Sequence, residues 1–159
     1  MPRVFGWLAC VGAVVLLIAA MITGTVPADA ATGARIAGAW VRLAAVPGHP
    51  AAGYFTLSAG SAPVELTGVA SPLARVELHG MSTAGGVMRM NTLPSVRVAA
   101  GQRTSFSPAG SHLMIFDVPA TVRPGATLPL TFRFADGTTV RVDAVARAAG
   151  TDAPMGMPR

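Results

Sequence analysis

From about residue 38 onward the chain alternates apolar and polar residues in short runs, and Gly, Pro or Asp interrupts each run. No apolar stripe keeps a helical period for more than two turns. The pattern predicts strands over residues 38–45, 51–58, 63–69, 74–79, 86–92, 95–99, 103–107, 111–117, 127–134 and 138–146. The last pair is the clearest hairpin. Leu128, Leu130, Phe132 and Phe134 alternate with Pro129, Thr131 and Arg133; Ala135-Asp136-Gly137 supplies a turn; Val140 and Val142 alternate with Arg141 and Asp143. Many short strands with one dry and one wet face predict an all-β domain, a Greek-key β-sandwich or barrel.

The first 30 residues break this pattern. Arg3 is followed by an uncharged apolar run from Val4 to Ile22, then by the small residues of Ala28-Asp29-Ala30. That layout predicts a secretory signal peptide cut near Ala30, with an uncleaved membrane anchor as the alternative because the run approaches the ~20 residues that span a bilayer. Leu8-Ala9-Cys10 looks like the end of a lipoprotein signal, but the apolar run follows this cysteine, and lipid attachment there would strand that run on the mature protein. The expected organisation is therefore a leader over 1–30, one domain over 31–147 and a flexible tail over 148–159. The protein is expected outside the cytoplasm: periplasmic, extracellular or tethered to the outer face of the membrane.

Composition narrows the chemistry. Cys10 is the single cysteine, so a mature domain would hold no thiol, no disulfide and no thiolate-based blue-copper site. The net charge is +5 and every one of the 12 cationic side chains is arginine. Arg75, Arg89, Arg97, Arg133 and Arg141 are scattered singly among apolar residues rather than clustered, which speaks against nucleic-acid binding.

The soft ligands that remain are methionine and histidine. His79, Met90, His112 and Met114 follow the spacing His-x10-Met-x21-His-x-Met. A strand's two-residue period aims His112 and Met114 at one face; it also puts His79 with Arg75 and Glu77, and Met90 with Met88. With its strand ending at His79, the segment from Gly80 to Gly86 is expected to be a mobile connection that brings His79 near those methionines. Neutral thioethers favour monovalent copper, and imidazole tolerates both copper states, so the mixed set points to Cu(I), with Cu(II) as the alternative at a secondary site. Taken alone each of these residues has a plain reading, methionine as a core gap-filler and histidine as a hydrogen-bonded strand residue. Met81 is a possible auxiliary ligand, His49 an ordinary loop residue, and Met155 and Met157 a thin basis for a site in the tail.

The stretch VELHGMSTAGGVMRMNTLPSVRVAAGQRTSFSPAGSHLMIFDV, residues 76–118, resembles the central motif of the PCuAC family of periplasmic copper chaperones. AWVRLAAVPGHPAAGYFTL, residues 39–57, is similar to that family's opening strands, and the resemblance extends over about 36–146. It implies a cupredoxin-like β-sandwich that binds one Cu(I) near its surface through His79, Met90, His112 and Met114. It also implies delivery toward the copper centre of cytochrome c oxidase or to a Sco-type chaperone.

No enzyme signature competes. Glu65, Glu77, Asp117, Asp136, Asp143 and Asp152 read mostly as solvated strand or loop positions, Ser58 and Ser111 sit in no nucleophile motif, and Gly85-Gly86 precedes a strand rather than a helix. Two other classes stay open: copper storage or Cu(II) binding on the same residues, and a metal-free β-sandwich interaction module. A monomer is the default, touching a membrane only through an uncleaved N-terminal segment.

Overall fold

The computed structural model describes residues 33–108 and 110–150; the expected leader, 1–30, and residues 151–159 of the expected tail lie outside that range. Ten strands and no helix make up the described residues: β1 (Arg35–Arg42), β2 (Ala51–Ser58), β3 (Val64–Ala70), β4 (Arg75–Ala84), β5 (Val87–Thr92), β6 (Val96–Val98), β7 (Arg103–Phe106), β8 (His112–Phe116), β9 (Thr127–Phe134) and β10 (Thr139–Arg147). The all-β expectation holds. The hydrogen-bonding order is β5-β4-β8-β2-β1-β10-β9-β3-β6, with β7 also on β2. Among the described strands only β1 and β10 run parallel.

β2 is where the sheet divides. Ala51–Gly53 pair with β8, while Phe55–Ser58 pair with β7. The strands then close over one core. Phe132 of β9 meets Phe55 of β2 edge-on, with ring centroids 4.8 Å apart, although β1 and β10 lie between those strands in the hydrogen-bonding order. Phe55 in turn stacks on Phe106 of β7 at 4.3 Å. Leu57, Leu66, Leu113, Ile115, Leu128 and Leu130 fill the space around these rings, all fully buried. This is the sandwich architecture the alternation implied, two inner faces interdigitating across one core.

The closing hairpin forms as its alternation predicts, with Leu128, Leu130, Phe132 and Phe134 buried. Its turn is tied by Asp136, whose Oδ1 accepts hydrogen bonds from the Thr138 amide and hydroxyl. These bonds hold the Asp136 carboxyl below its usual pKa.

Two strands, β1 and β4, depart from expectation by more than one residue. β1 starts at Arg35 rather than at residue 38, because Gly38, at φ 61°, sits in a β-bulge inside the strand: Ala37 pairs with Thr56 but Trp40 with Tyr54. β4 runs through His79 to Ala84, so the mobile connection expected from Gly80 does not exist. The reversal comes instead at Gly85 and Gly86, whose φ of 59° and 79° suit the two-residue turn that matches the strands' twist. A side chain at Gly80 would press on the methyls of Leu93, which packs against the base of this hairpin.

Candidate metal centre

β4, β5 and β8 present one outward face. Along β4, Leu78 and Gly80 are buried, while Arg75, Glu77, His79 and Met81 alternate to the other side. β8 does the same, burying Leu113 and Ile115 and turning His112, Met114 and Phe116 outward. Directly opposed residues of an antiparallel pair share a face, so the register fixes the neighbours. His79 lies opposite His112, Glu77 opposite Met114, and Arg75 opposite Phe116. On the other flank of β4, His79 faces Thr92 and Met81 faces Met90.

All four residues of the spaced motif therefore come to one patch centred on His79. His112 is its direct cross-strand neighbour, Met90 is diagonal to it across β5, and Met114 is diagonal to it across β8. Diagonal neighbours in a sheet have Cβ atoms within about 7–8 Å, inside the reach of a methionine side chain. Met90 and Met114 are the pair furthest apart.

The two imidazoles are near-parallel, at 23°, with centroids 6.2 Å apart. Hydrogen bonds select the nitrogen each offers. His112 donates from Nδ1 to the Gly110 carbonyl at 3.1 Å, which leaves the Nε2 lone pair free. His79 donates from Nε2 to Glu77 Oε2 at 3.0 Å, which leaves Nδ1 as the lone-pair atom. The His79 side chain is only 12% exposed, in mid-strand rather than at a strand end.

Among the described residues, His79 Nδ1 is the one buried side-chain polar atom without a hydrogen-bond partner. An unpaired buried nitrogen costs roughly 1–3 kcal/mol, and its presence calls for an occupant. A lone-pair nitrogen beside a second one, flanked by thioethers, suits a soft monovalent cation. No three His, Cys, Asp or Glu side chains converge anywhere among the described residues, so any cation held on this face depends on the methionines.

Glu77 is the site residue that the alternation alone understated. It accepts from His79 and pairs with Arg75, which also lies over the Phe116 ring at 3.9 Å. The His79 hydrogen bond, then the Arg75 charge, hold its carboxyl below the usual range against the opposing effect of burial. The two-residue step from Glu77 to His79 carried that signal, since a strand puts such a pair side by side. His49 is exposed in the turn before β2, and Met155 and Met157 lie outside the described residues.

Residues 35–146 match the model of the LpqE-like family, described as "Putative lipoprotein LpqE-like". A relative from Leifsonia xyli subsp. xyli, "Putative lipoprotein Lxx21020", is 33% identical over 115 residues, which are 71% of this chain and 69% of its own. Among solved structures, "Copper-bound PCuAC domain from PmoF2" is similar with a TM-score of 0.60 at 22% identity, over 73% of this chain and 93% of that one. The solution structure of CuI-DR1885 from Deinococcus radiodurans gives a TM-score of 0.50 at 28% identity, over 69% of this chain and 75% of its own. The shared feature is the cupredoxin-like β-sandwich of PCuAC domains.

Proposed function

The chain belongs to the LpqE-like family and has the PCuAC-type fold, and from that premise we propose that it is an exported Cu(I) carrier. His79 through Nδ1, His112 through Nε2, Met90 and Met114 hold the ion. The observation that carries this reading is the orphaned Nδ1 of His79, buried beside a second available imidazole nitrogen on a face that also bears the two methionines. The copper bound in the two similar structures supports it.

Four neutral ligands leave the charge of Cu(I) uncompensated. That favours handing the ion to an anionic thiolate acceptor, which displaces imidazole and thioether one at a time without any change of oxidation state. The acceptors this reading implies are the copper centre of cytochrome c oxidase or a Sco-type chaperone. The word lipoprotein in the family's description and in the relative's name supports tethering at the outer side of a membrane, for which the apolar run 4–22 is the anchor this sequence offers.

An anaerobic titration against a chromogenic Cu(I) chelator tests the carrier role. One equivalent bound, and then released to an added dithiol peptide, is the expected result. Failure to draw Cu(I) from a weak chelator, or tight binding of Cu(II) alone, sinks it.

Glu77 acts behind the ligand. By fixing the tautomer of His79 and raising its basicity, it should contribute as partner groups of metal-bound histidines do, so Glu77→Ala is expected to weaken Cu(I) binding by about 10–100-fold. The same titration reads this, with the unfolding curve of the copper-free variant close to that of wild type. Unchanged affinity would mean that the ring is oriented without the carboxylate.

A further inference from the structure

The β4–β5 hairpin continues beyond the His79 row as an arm. Every residue of β5 is exposed, and β5 is an outer strand of the sheet. Of the seven large apolar side chains exposed among the described residues, four belong to this arm, and three of those are methionines. Met81, Met88 and Met90 are 36%, 61% and 49% exposed, so they fill no core gap.

Register puts the three on one face. Met81 is directly opposite Met90, and Met88 stands two residues along β5 from Met90. Opposed Cβ atoms are about 4.5–5.5 Å apart, and a two-residue step in a strand is about 6.7 Å. Three flexible side chains at that spacing can turn their sulfurs onto one ion. Arg89 alternates to the other face, so no arginine of β5 shares the methionine face. On that other face the Asn91 amide donates to the Ser82 hydroxyl at 2.7 Å, pinning the register that aligns Met81 with Met90.

We propose that Met81, Met88 and Met90 form a second, weaker Cu(I) site, made wholly of thioethers, from which the ion passes to the histidine pair. This rests on the carrier reading above and extends it. Met90 belongs to both sites, so the ion keeps one ligand during the transfer while Met81 and Met88 are replaced by His79, His112 and Met114. The ion remains Cu(I), every ligand is neutral, and no proton or electron moves.

The test uses the full-length chain, anaerobically, with Cu(I) as the probe and the methionine methyl groups followed by NMR. In a His79→Ala/His112→Ala variant, Cu(I) is expected to shift the Met81, Met88 and Met90 methyl signals together, and Met81→Leu/Met88→Leu added to that background should abolish the binding. In the otherwise native chain, the same leucine pair should slow loading from a Cu(I)–chelator complex several-fold while the final stoichiometry stays at one. Leucine keeps the arm apolar. Leucine variants that load like wild type would therefore overturn the proposal. Met81 and Met88 signals that stay still when Cu(I) is added to the His79→Ala/His112→Ala variant would overturn the arm site alone, whereas a wild type that takes up no Cu(I) would sink the carrier reading as well.

Discussion

Replacing His79 or His112 with alanine, or Met114 with leucine, is expected to lower Cu(I) affinity by at least about 100-fold, because loss of an outer partner of a ligand already costs about 10–100-fold and these changes remove a ligand itself. His79→Ala should show a second effect of opposite sign. In the copper-free protein the buried Nδ1 is unpaired, so its removal relieves a desolvated polar atom and offsets the loss of the Nε2 hydrogen bond to Glu77. Copper-free His79→Ala should then unfold at the same temperature as wild type or slightly above it, while losing the copper-dependent rise in stability that wild type shows when ligand binds only the folded state. Chelator competition and paired melting curves read both effects. A variant that binds Cu(I) like wild type removes His79 from the site, and one that is strongly destabilised without copper shows that the ring is structural.

Phe132→Ala should produce the largest loss of stability, about 3–5 kcal/mol, as truncation of a fully buried phenylalanine does. Phe132 is entirely buried and meets Phe55, which stacks on Phe106, so this one ring joins β9 to β2 and β7 across the core. Against the roughly 5–15 kcal/mol that holds a typical domain together, the loss is severe. Urea unfolding of Phe132→Ala beside Val145→Ala measures it. Val145 is 42% exposed, and its truncation should change stability by about 0.5 kcal/mol or less. A loss under about 1 kcal/mol for Phe132→Ala would mean that the two sides of the sandwich do not depend on this aromatic contact.

Phe132 was legible in the sequence because Leu128, Leu130, Phe132 and Phe134 alternate without interruption and end at a turn of known chemistry. The same two-residue period gave the shared face of His112 and Met114. Around His79 it misled, since Gly80 looked like a turn residue. Nothing local distinguishes a glycine that makes room for Leu93 from one that reverses the chain, and Gly85-Gly86 performs the reversal five residues later. Gly38 had the same ambiguity and proved to be a bulge inside β1. Glu77 read as a solvated carboxylate because alternation places Arg75, Glu77 and His79 on one face of β4 without saying which of these side chains bond to one another.

The sequence by itself determined that this is an all-β domain with a dry and a wet face, that no thiol lies beyond Cys10, and that its soft donors are thioether and imidazole; these follow from local period and residue type. Tertiary structure decided which donors meet. The β4–β8 register sets His79 against His112, the β4–β5 turn brings Met90 diagonal to His79, and the Glu77 and Gly110 oxygens select the nitrogen each ring offers. Register is a relation between strands far apart in the chain, fixed by how both bury their apolar faces in one core, and a single strand's pattern carries no record of its partner.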